Sequence, residues 1–434
     1  MTRRALRVLA ALGGFGLVLA LAVPLGRPGV LGPSATVNGR AAFEMRGEGP
    51  LRAGAGRARI AIDRPGGLFA RALAFSAGGA TAVVVALDAL LVPGPLEEEV
   101  LRETRLPPRT CLILAATHTH AGAGGTWNNL LAEVAGNGVY QADRMRAHRD
   151  AAAQAIAQAL AALAPAKLAV VQAPWAGGPA RPRGKGPIDP TFTALRLSRE
   201  DGTAIGTLVG YGMHPTVLRR DRAFVSGDWP GEAARILEDA TGAPALVVQG
   251  AGGNATWARE GMPASPQAAV EALGSEVAAH AQALLAAPAG PHAAEDGSSA
   301  GAPSRDGPSI SCAVRLVALP KAEASARVPR LLRTLAGNLL ALVAPHSAVQ
   351  TRIDLPGLTL FGVPAEVVGD YGLAAHFEGQ RTALVTLADG YAGYVETPER
   401  AAAGSGEAMT TYYGEGLARA LLLPPARGPG GEVR

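Results

Sequence analysis

Five short stretches of the chain hold side chains able to do chemistry. The first is "THTHAGAGG" (117–125), directly after the apolar run "CLILAA" (111–116). His118 and His120 are one residue apart, and in extended backbone residues i and i+2 project to the same side. Two imidazoles converging on one point suit a metal ion, or a metal ion plus a substrate. A hydrogen-bonded pair at a strand end is the plainer alternative. The 434 residues include eight histidines, so chance spacing gives only about 0.15 such pairs. Gly122, Gly124 and Gly125 follow, and glycine lets backbone approach a ligand closely.

The second stretch is "YGMHPT", where the proline after His214 favours extended or turn geometry at the end of an apolar run. The third is "VVQGAGGNAT" (247–256), a buried strand running into glycines and then Asn254 and Thr256, which offers backbone N–H groups and a hydroxyl. The fourth is "FGVPAEVVGDYG", with Glu366 at a strand-to-helix junction, where a glutamate ordinarily serves the helix dipole. The fifth is "DGYAGYVETPE", whose Tyr391 and Tyr394 are of a kind that ordinarily packs. Together these stretches supply imidazoles, a carboxylate and a phenol, a set suited to a hard-to-borderline metal. Arg183, in the polar loop "RPRGKGPIDP", is a cation suited to meeting a carboxylate product; a solvated charge is the alternative.

Elements must position these groups. Apolar runs predict strands at 58–63, 81–92, 111–116, 167–173, 193–198, 204–214, 244–250, 310–319, 349–355, 358–363 and 382–388. Helical periodicity predicts helices at 143–164, 267–287, 328–343, 366–378 and 414–423. Another spans 226–242, with Asp228 as N-cap, Pro230 in the first turn and Gly242 as the stop. Residues 288–308 are rich in Pro, Gly, Ser and Ala and read as a surface loop or hinge. Strands alternating with helices predict an α/β fold, mixed β-sheets flanked by helices in a single catalytic domain.

Composition agrees. The chain is 48% hydrophobic and 18% charged, values of a globular protein with a sizeable core. The net charge of +4 comes from scattered arginines. No Lys/Arg block is interleaved with aromatics, which argues against a nucleic-acid partner. Cys111 lies in an apolar run and reads as a buried free thiol, while a disulfide with Cys312 is undecided by spacing. At the N-terminus, Arg3, Arg4 and Arg7 precede nineteen uncharged residues, Val8–Gly26. That is longer than a typical secretory core of about 7–15 residues and close to the ~20 of a spanning helix. Segment 1–26 therefore reads as a signal anchor or signal peptide, 27–50 as a tether, 51–425 as the catalytic domain and 426–434 as a tail. With the arginines inside, the domain is expected to be exported, on the periplasmic or extracellular face, and held to the membrane by its N-terminus.

The order of these motifs resembles the neutral/alkaline non-lysosomal ceramidase family, from about Leu51 to about Leu423. "LRAGAGRARIAIDRPGG" is similar to the family's opening, and "ATHTHAGAGG" is very close to its "ATHTHSGPGG". "GMHPT", "SGDWPGEAARILE", "VVQGAGGNAT", "GVPAE" and "GYAGYVETPE" follow in family order. The resemblance implies one zinc ion held by His118, His214, Glu366 and Tyr394. It also implies His120 in the substrate pocket, holding the reacting carbonyl, and hydrolysis of the ceramide amide to sphingosine and a fatty acid. The family's active-site serine falls on Thr256 and its aspartate on Asn254; "PGE" is "PAE"; the residues after "THTH" are alanines. The C-terminal β-sandwich of the larger ceramidases is expected to be missing. Thr256 and the glycine-rich backbone, Gly124 and Gly125 included, are expected to position substrate together with Asn254 and Arg183. The reading is thus an exported zinc amidohydrolase for ceramide or a related N-acyl lipid. The alternatives are a membrane-tethered, non-catalytic binding protein of the same fold, or a zinc hydrolase for a non-lipid amide or ester.

Overall fold

Three β-sheets meet in one core, and each contains one parallel strand pair closed by a crossover. The computed structural model describes residues 41–107, 110–184, 186–218, 224–287, 309–375 and 381–421. In the third sheet, β1 (Phe43–Glu48), β10 (Ser309–Ala318), β11 (Ser347–Leu355), β12 (Leu358–Val363) and β13 (Thr382–Thr386) lie in that order. The first sheet runs β5 (Thr110–Ala116), β4 (Ala80–Leu87), β3 (Phe69–Ala77), β2 (Arg52–Arg59), with a two-residue strand, Ala164–Pro165, at its edge. The second runs β9 (Ala245–Gln249), β8 (Ala204–Tyr211), β7 (Thr191–Ser198), β6 (Lys167–Pro174). The parallel pairs are β4–β5, β8–β9 and β12–β13. Parallel strands require a crossover. It contains α1 (Gly94–Thr104) in the first sheet, α3 (Asp228–Thr241) in the second and α6 (Gly369–Ala375) in the third.

Strands β4 and β5 are apolar nearly throughout because both faces of the first sheet are covered. One face, with Phe75, Val84 and Ile113, joins Leu195, Leu208 and Val248 of the second sheet and Ile310, Val349, Ile353 and Val385 of the third. Helices α1 and α2 (Ala142–Ala161) cover the other. The alanine stripe of α2 sits very close: a Cβ at Gly56 would lie 2.1 Å from the Ala155 carbonyl oxygen, and one at Gly54 2.2 Å from that of Ala159. Only glycine fits β2 there. Helices α3 and α4 (Pro266–Ala286) cover the outer face of the second sheet. Helix α5 (Arg330–Ala341) lies between β10 and β11 in sequence, at the surface.

Cys111 of β5 is bonded to Cys312 of β10, Cα to Cα 6.4 Å, within the ordinary disulfide range. The free-thiol reading of Cys111 is corrected: at a sequence separation of 201, spacing carried no sign of the pairing.

The α/β expectation holds, and most elements fall where periodicity places them. Strand β3 and helix α1 have no counterpart among the expected elements, and four local differences stand out. Within the expected tether, residues 43–48 form β1, which pairs with β10. The strand expected at 58–63 is β2, which begins earlier, at Arg52, and ends at Arg59. Asp228 is not an N-cap: Gly227 is, and Asp228 (φ 54°) accepts from Leu218 N–H and Trp229 N–H. Glu366 does not open a helix but pairs with Tyr394 in a two-residue parallel bridge, and α6 starts at Gly369.

The membrane expectation is also corrected. Among the described residues no helix is long and apolar enough to cross a membrane. The anchor and its exported placement rested on 1–26, which lies outside the described residues, as do 288–308 and the tail; that expectation is set aside.

Candidate metal centre and active site

The site forms where strands of all three sheets end, the usual location in α/β architectures. His118 lies two residues beyond β5, His214 three beyond β8, and Glu366 three beyond β12. Tyr394 follows the loop after β13. Two contacts fix these loops to each other: Asp389 accepts from Leu114 N–H through Oδ1, at 2.8 Å, and its own N–H donates to the Leu114 carbonyl. His118 has φ 67°, a left-handed conformation that is unusual for a non-glycine residue. The alternation argument for the His118–His120 pair therefore holds only in outcome. A turn at His118, not a continued strand, brings the rings to 4.9 Å between centroids.

Backbone carbonyls set the orientation of both buried imidazoles. His118 Nδ1 is 2.7 Å from the Leu90 carbonyl oxygen, and His214 Nδ1 is 2.8 Å from that of Gly252. A carbonyl can only accept, so each Nδ1 carries a proton and each Nε2 faces the centre. This outer support is typical of metal-binding histidines. Glu366 Oε2 is 3.0 Å from His118 Nε2 and 3.2 Å from His214 Nε2. Tyr394 hydroxyl is 3.0 Å from His214 Nε2. The ring nitrogens of His118, His120 and His214 come within 4.8 Å of one another.

This arrangement fits a cation. His120 Nε2 is buried without a hydrogen bond, and His118 Nε2 and Glu366 Oε2 face each other and His214; a buried polar atom left unsatisfied is costly. A proton between Glu366 and one imidazole satisfies that pair alone, whereas one metal ion satisfies the whole set. Burial lowers the His118 pKa, but the Glu366 carboxylate outweighs it and the net direction is up. Burial raises the Glu366 pKa, but His118 and His214 outweigh it and hold the carboxyl well below its usual range. Burial, then His118 and His214, pushes His120 down to about 3, so that its ring is neutral. Burial and then Glu366 push the Tyr394 phenol well above its usual value, against an opposing effect of Arg183.

Arg183 is brought to the site. Its Nη2 is 3.2 Å from Tyr394 hydroxyl and 2.8 Å from the Gly253 carbonyl oxygen, and it forms an ion pair with Glu407 at 2.8 Å. Thr256 lies one residue past Ala255, whose carbonyl accepts from His214 N–H. Asn254 is not turned to the centre: its amide donates to Pro187 and accepts from Gly369 N–H, both at 2.9 Å. Gly124 and Gly125 have positive φ (60° and 73°) and shape a turn held by Arg144. The cleft beside His118, His214 and Glu366 is lined instead by Gln249, Gly250, Gly252, Gly253 and Thr386.

Sequence reasoning missed two contributors. Tyr391, expected to pack, donates to Glu366 Oε1 at 2.8 Å. Glu407 holds Arg183 and had no signal in "GSGEAMTTYY".

The fold is that of known ceramidases. A neutral ceramidase from Pseudomonas aeruginosa superposes with TM-score 0.69 at 19% identity, over 86% of this chain and 72% of that one. A ceramidase solved in complex with C2 gives the same score and identity, over 86% and 73%. No curated protein matches in sequence. The N-terminal domain profile of the neutral/alkaline non-lysosomal ceramidases matches residues 66–283, half of the chain. The chain belongs to the neutral/alkaline non-lysosomal ceramidase family, and its class is that of the ceramidase-type hydrolases.

Proposed function

We propose that this protein is a zinc-dependent amidase that cleaves ceramide, or a related N-acyl lipid amide, into a fatty acid and an amine base. The observation that carries this reading is the convergence of His118 Nε2, His214 Nε2, Glu366 Oε2 and Tyr394 hydroxyl at contacts of 3.0 to 3.2 Å. His118, His214, Glu366 and Tyr394 would hold the metal, and imidazole, carboxylate and phenol donors suit zinc. When bound, zinc supplies Lewis acidity toward a carbonyl and a water acidic enough to attack near neutral pH.

The chain's own residues do the rest. The Leu90 and Gly252 carbonyls keep both imidazoles in the ligating tautomer. Tyr394 hydroxyl, beside Arg183, is placed to donate to the oxygen that gains charge as water adds to the amide carbon. His120 presents an unpartnered Nε2 to the same space; there it stabilises the carbonyl or passes a proton to the departing amine. Thr256, with the Gly252–Gly253 backbone, orients the substrate. The carbon–nitrogen bond breaks, the carbonyl carbon keeps the water oxygen, and the nitrogen takes a proton.

Release of fluorescent fatty acid from a labelled ceramide, with and without a chelator, tests the reading. Turnover that chelation abolishes and zinc restores is expected, with kcat/KM rising as acyl length grows by about 0.8 kcal/mol per buried CH₂. Equal kcat/KM for acetyl and long-acyl amides would refute a lipid substrate. No turnover of any amide by zinc-loaded protein would leave a binding protein of the same fold.

A further inference from the structure

Helix α5 carries apolar side chains on two faces, and among the described residues only one of them is covered. Inward, Leu340 and Ala341 pack on the main core and Gly337 is buried. Outward, Leu331, Leu335, Leu339 and Leu342 are 57% to 97% exposed. At about 100° per residue these four leucines fall within an arc of roughly 80°. Seven large apolar side chains are exposed among the described residues; four are these leucines.

The helix is fixed beside the site. Its C-terminal end meets the segment that follows the "THTHAGAGG" loop: Asn129 Nδ2 donates to the Val343 carbonyl, and Leu130 and Leu131 pack on Val343. Before its N-terminal end, Arg327 donates to the Gly404 carbonyl and Glu323 N–H to the Tyr412 carbonyl. Residues 404–412 also carry Glu407, the partner of Arg183. One more of the seven exposed apolar residues, Met409, lies within 404–412.

Charge selects the occupant. From residue 324 to 351 the chain has three arginines (Arg327, Arg330, Arg333) and no acid. Arg327 and Arg333 bond only to neutral carbonyls. Arg330 sits exposed in the first helical turn, where a cation opposes the helix dipole. An anionic headgroup offsets that cost, and a leucine face flanked by arginines is the pattern of a helix lying in a lipid interface.

We propose that the Leu331/Leu335/Leu339/Leu342 face of α5, with Arg327, Arg330 and Arg333, docks on an anionic lipid surface and holds the neighbouring site at the layer from which an N-acyl lipid is drawn. This rests on the lipid-amidase reading for its purpose, but not for its test. Full-length protein is sedimented with vesicles of phosphatidylglycerol and phosphatidylcholine, or of phosphatidylcholine alone, all free of any N-acyl amide. Binding to the anionic vesicles, weakened by salt, is expected. The double variant Leu331→Ser/Leu335→Ser should lower the partition coefficient about tenfold or more. Arg330→Glu should lower it several-fold on anionic vesicles alone. Both variants should keep the wild-type melting temperature and the wild-type rate on a soluble short-acyl amide.

Unchanged vesicle binding by the leucine variant would overturn the proposal. So would a wild-type dimer that this variant splits, since a second copy would then cover the face. Vesicle binding without hydrolysis of any amide would sustain the docking and refute the amidase reading; the reverse pattern would do the opposite.

Discussion

The hydroxyl of Tyr391 donates to Glu366 Oε1 at 2.8 Å, while the other oxygen of the same carboxylate faces His118 and His214. Tyr391 thus orients a proposed metal ligand, and Tyr394, three residues on, stands among the proposed ligands. The two phenols should fail differently. Tyr391→Phe should weaken metal affinity about 10–100-fold, as loss of outer support typically does, with kcat near wild type once metal is saturating. Tyr394→Phe should keep most of its metal and lose about 10²–10³ in kcat. Zinc titration and single-turnover rates on both variants separate the roles. The opposite pattern would show the two residues exchanged.

Metal content gives a second expectation. Purified protein should hold about one equivalent of zinc, and His118→Ala/His214→Ala should hold almost none, as read by elemental analysis. Chelation should lower the melting temperature of the wild type, because a ligand bound only by the folded state stabilises it. It should not change that of the double variant. Full occupancy in the variant would remove these histidines from the site.

The cross-link between Cys111 and Cys312 leads to a third. Thiol titration of denatured, unreduced protein should find no free thiol. Replacing both cysteines by alanine should cost about 2–4 kcal/mol in urea unfolding. Two reactive thiols in unreduced protein would contradict the bond.

A fourth concerns acid. Burial pushes the His148 pKa down to about 4 from its ordinary 6.5, against a smaller opposing effect of its bond to the Arg144 carbonyl. A depressed folded pKa means the unfolded chain binds the proton first. Stability from this group is complete above about pH 6.5 and lost as pH falls towards 4, a swing of up to roughly 3 kcal/mol. Unfolding free energies of His148→Gln between pH 7 and 4 should show a shallower acid decline than wild type. Equal slopes would mean that His148 is already protonated in the fold.

Much of the site was legible because each donor falls where an apolar run meets glycine or proline: His118 after β5, His214 before Pro215, Glu366 after Pro364. Such junctions are visible locally. What joins them is not. Arg183 reaches Glu407 across 224 positions, and the Gly252 carbonyl reaches His214 across 38. Backbone groups leave no mark in residue identity, and a glutamate that pairs at long range looks like any surface acid. Asn254 shows the converse. Its place in a motif suggested substrate, but the fold spends its amide on two backbone groups. Tyr391 and Tyr394 looked alike for the same reason, since only the bridge between Glu366 and Tyr394 sets their directions.

His118 hangs from the first sheet, His214 from the second, and Glu366 and Tyr394 from the third. No single sheet carries the set. If one sheet slipped, one or two donors would leave together, and affinity would collapse while most secondary structure persisted. Affinity for the proposed metal is therefore a ruler for the mutual docking of the sheets. A substitution far from the site that loosens the shared core should announce itself first as lost metal.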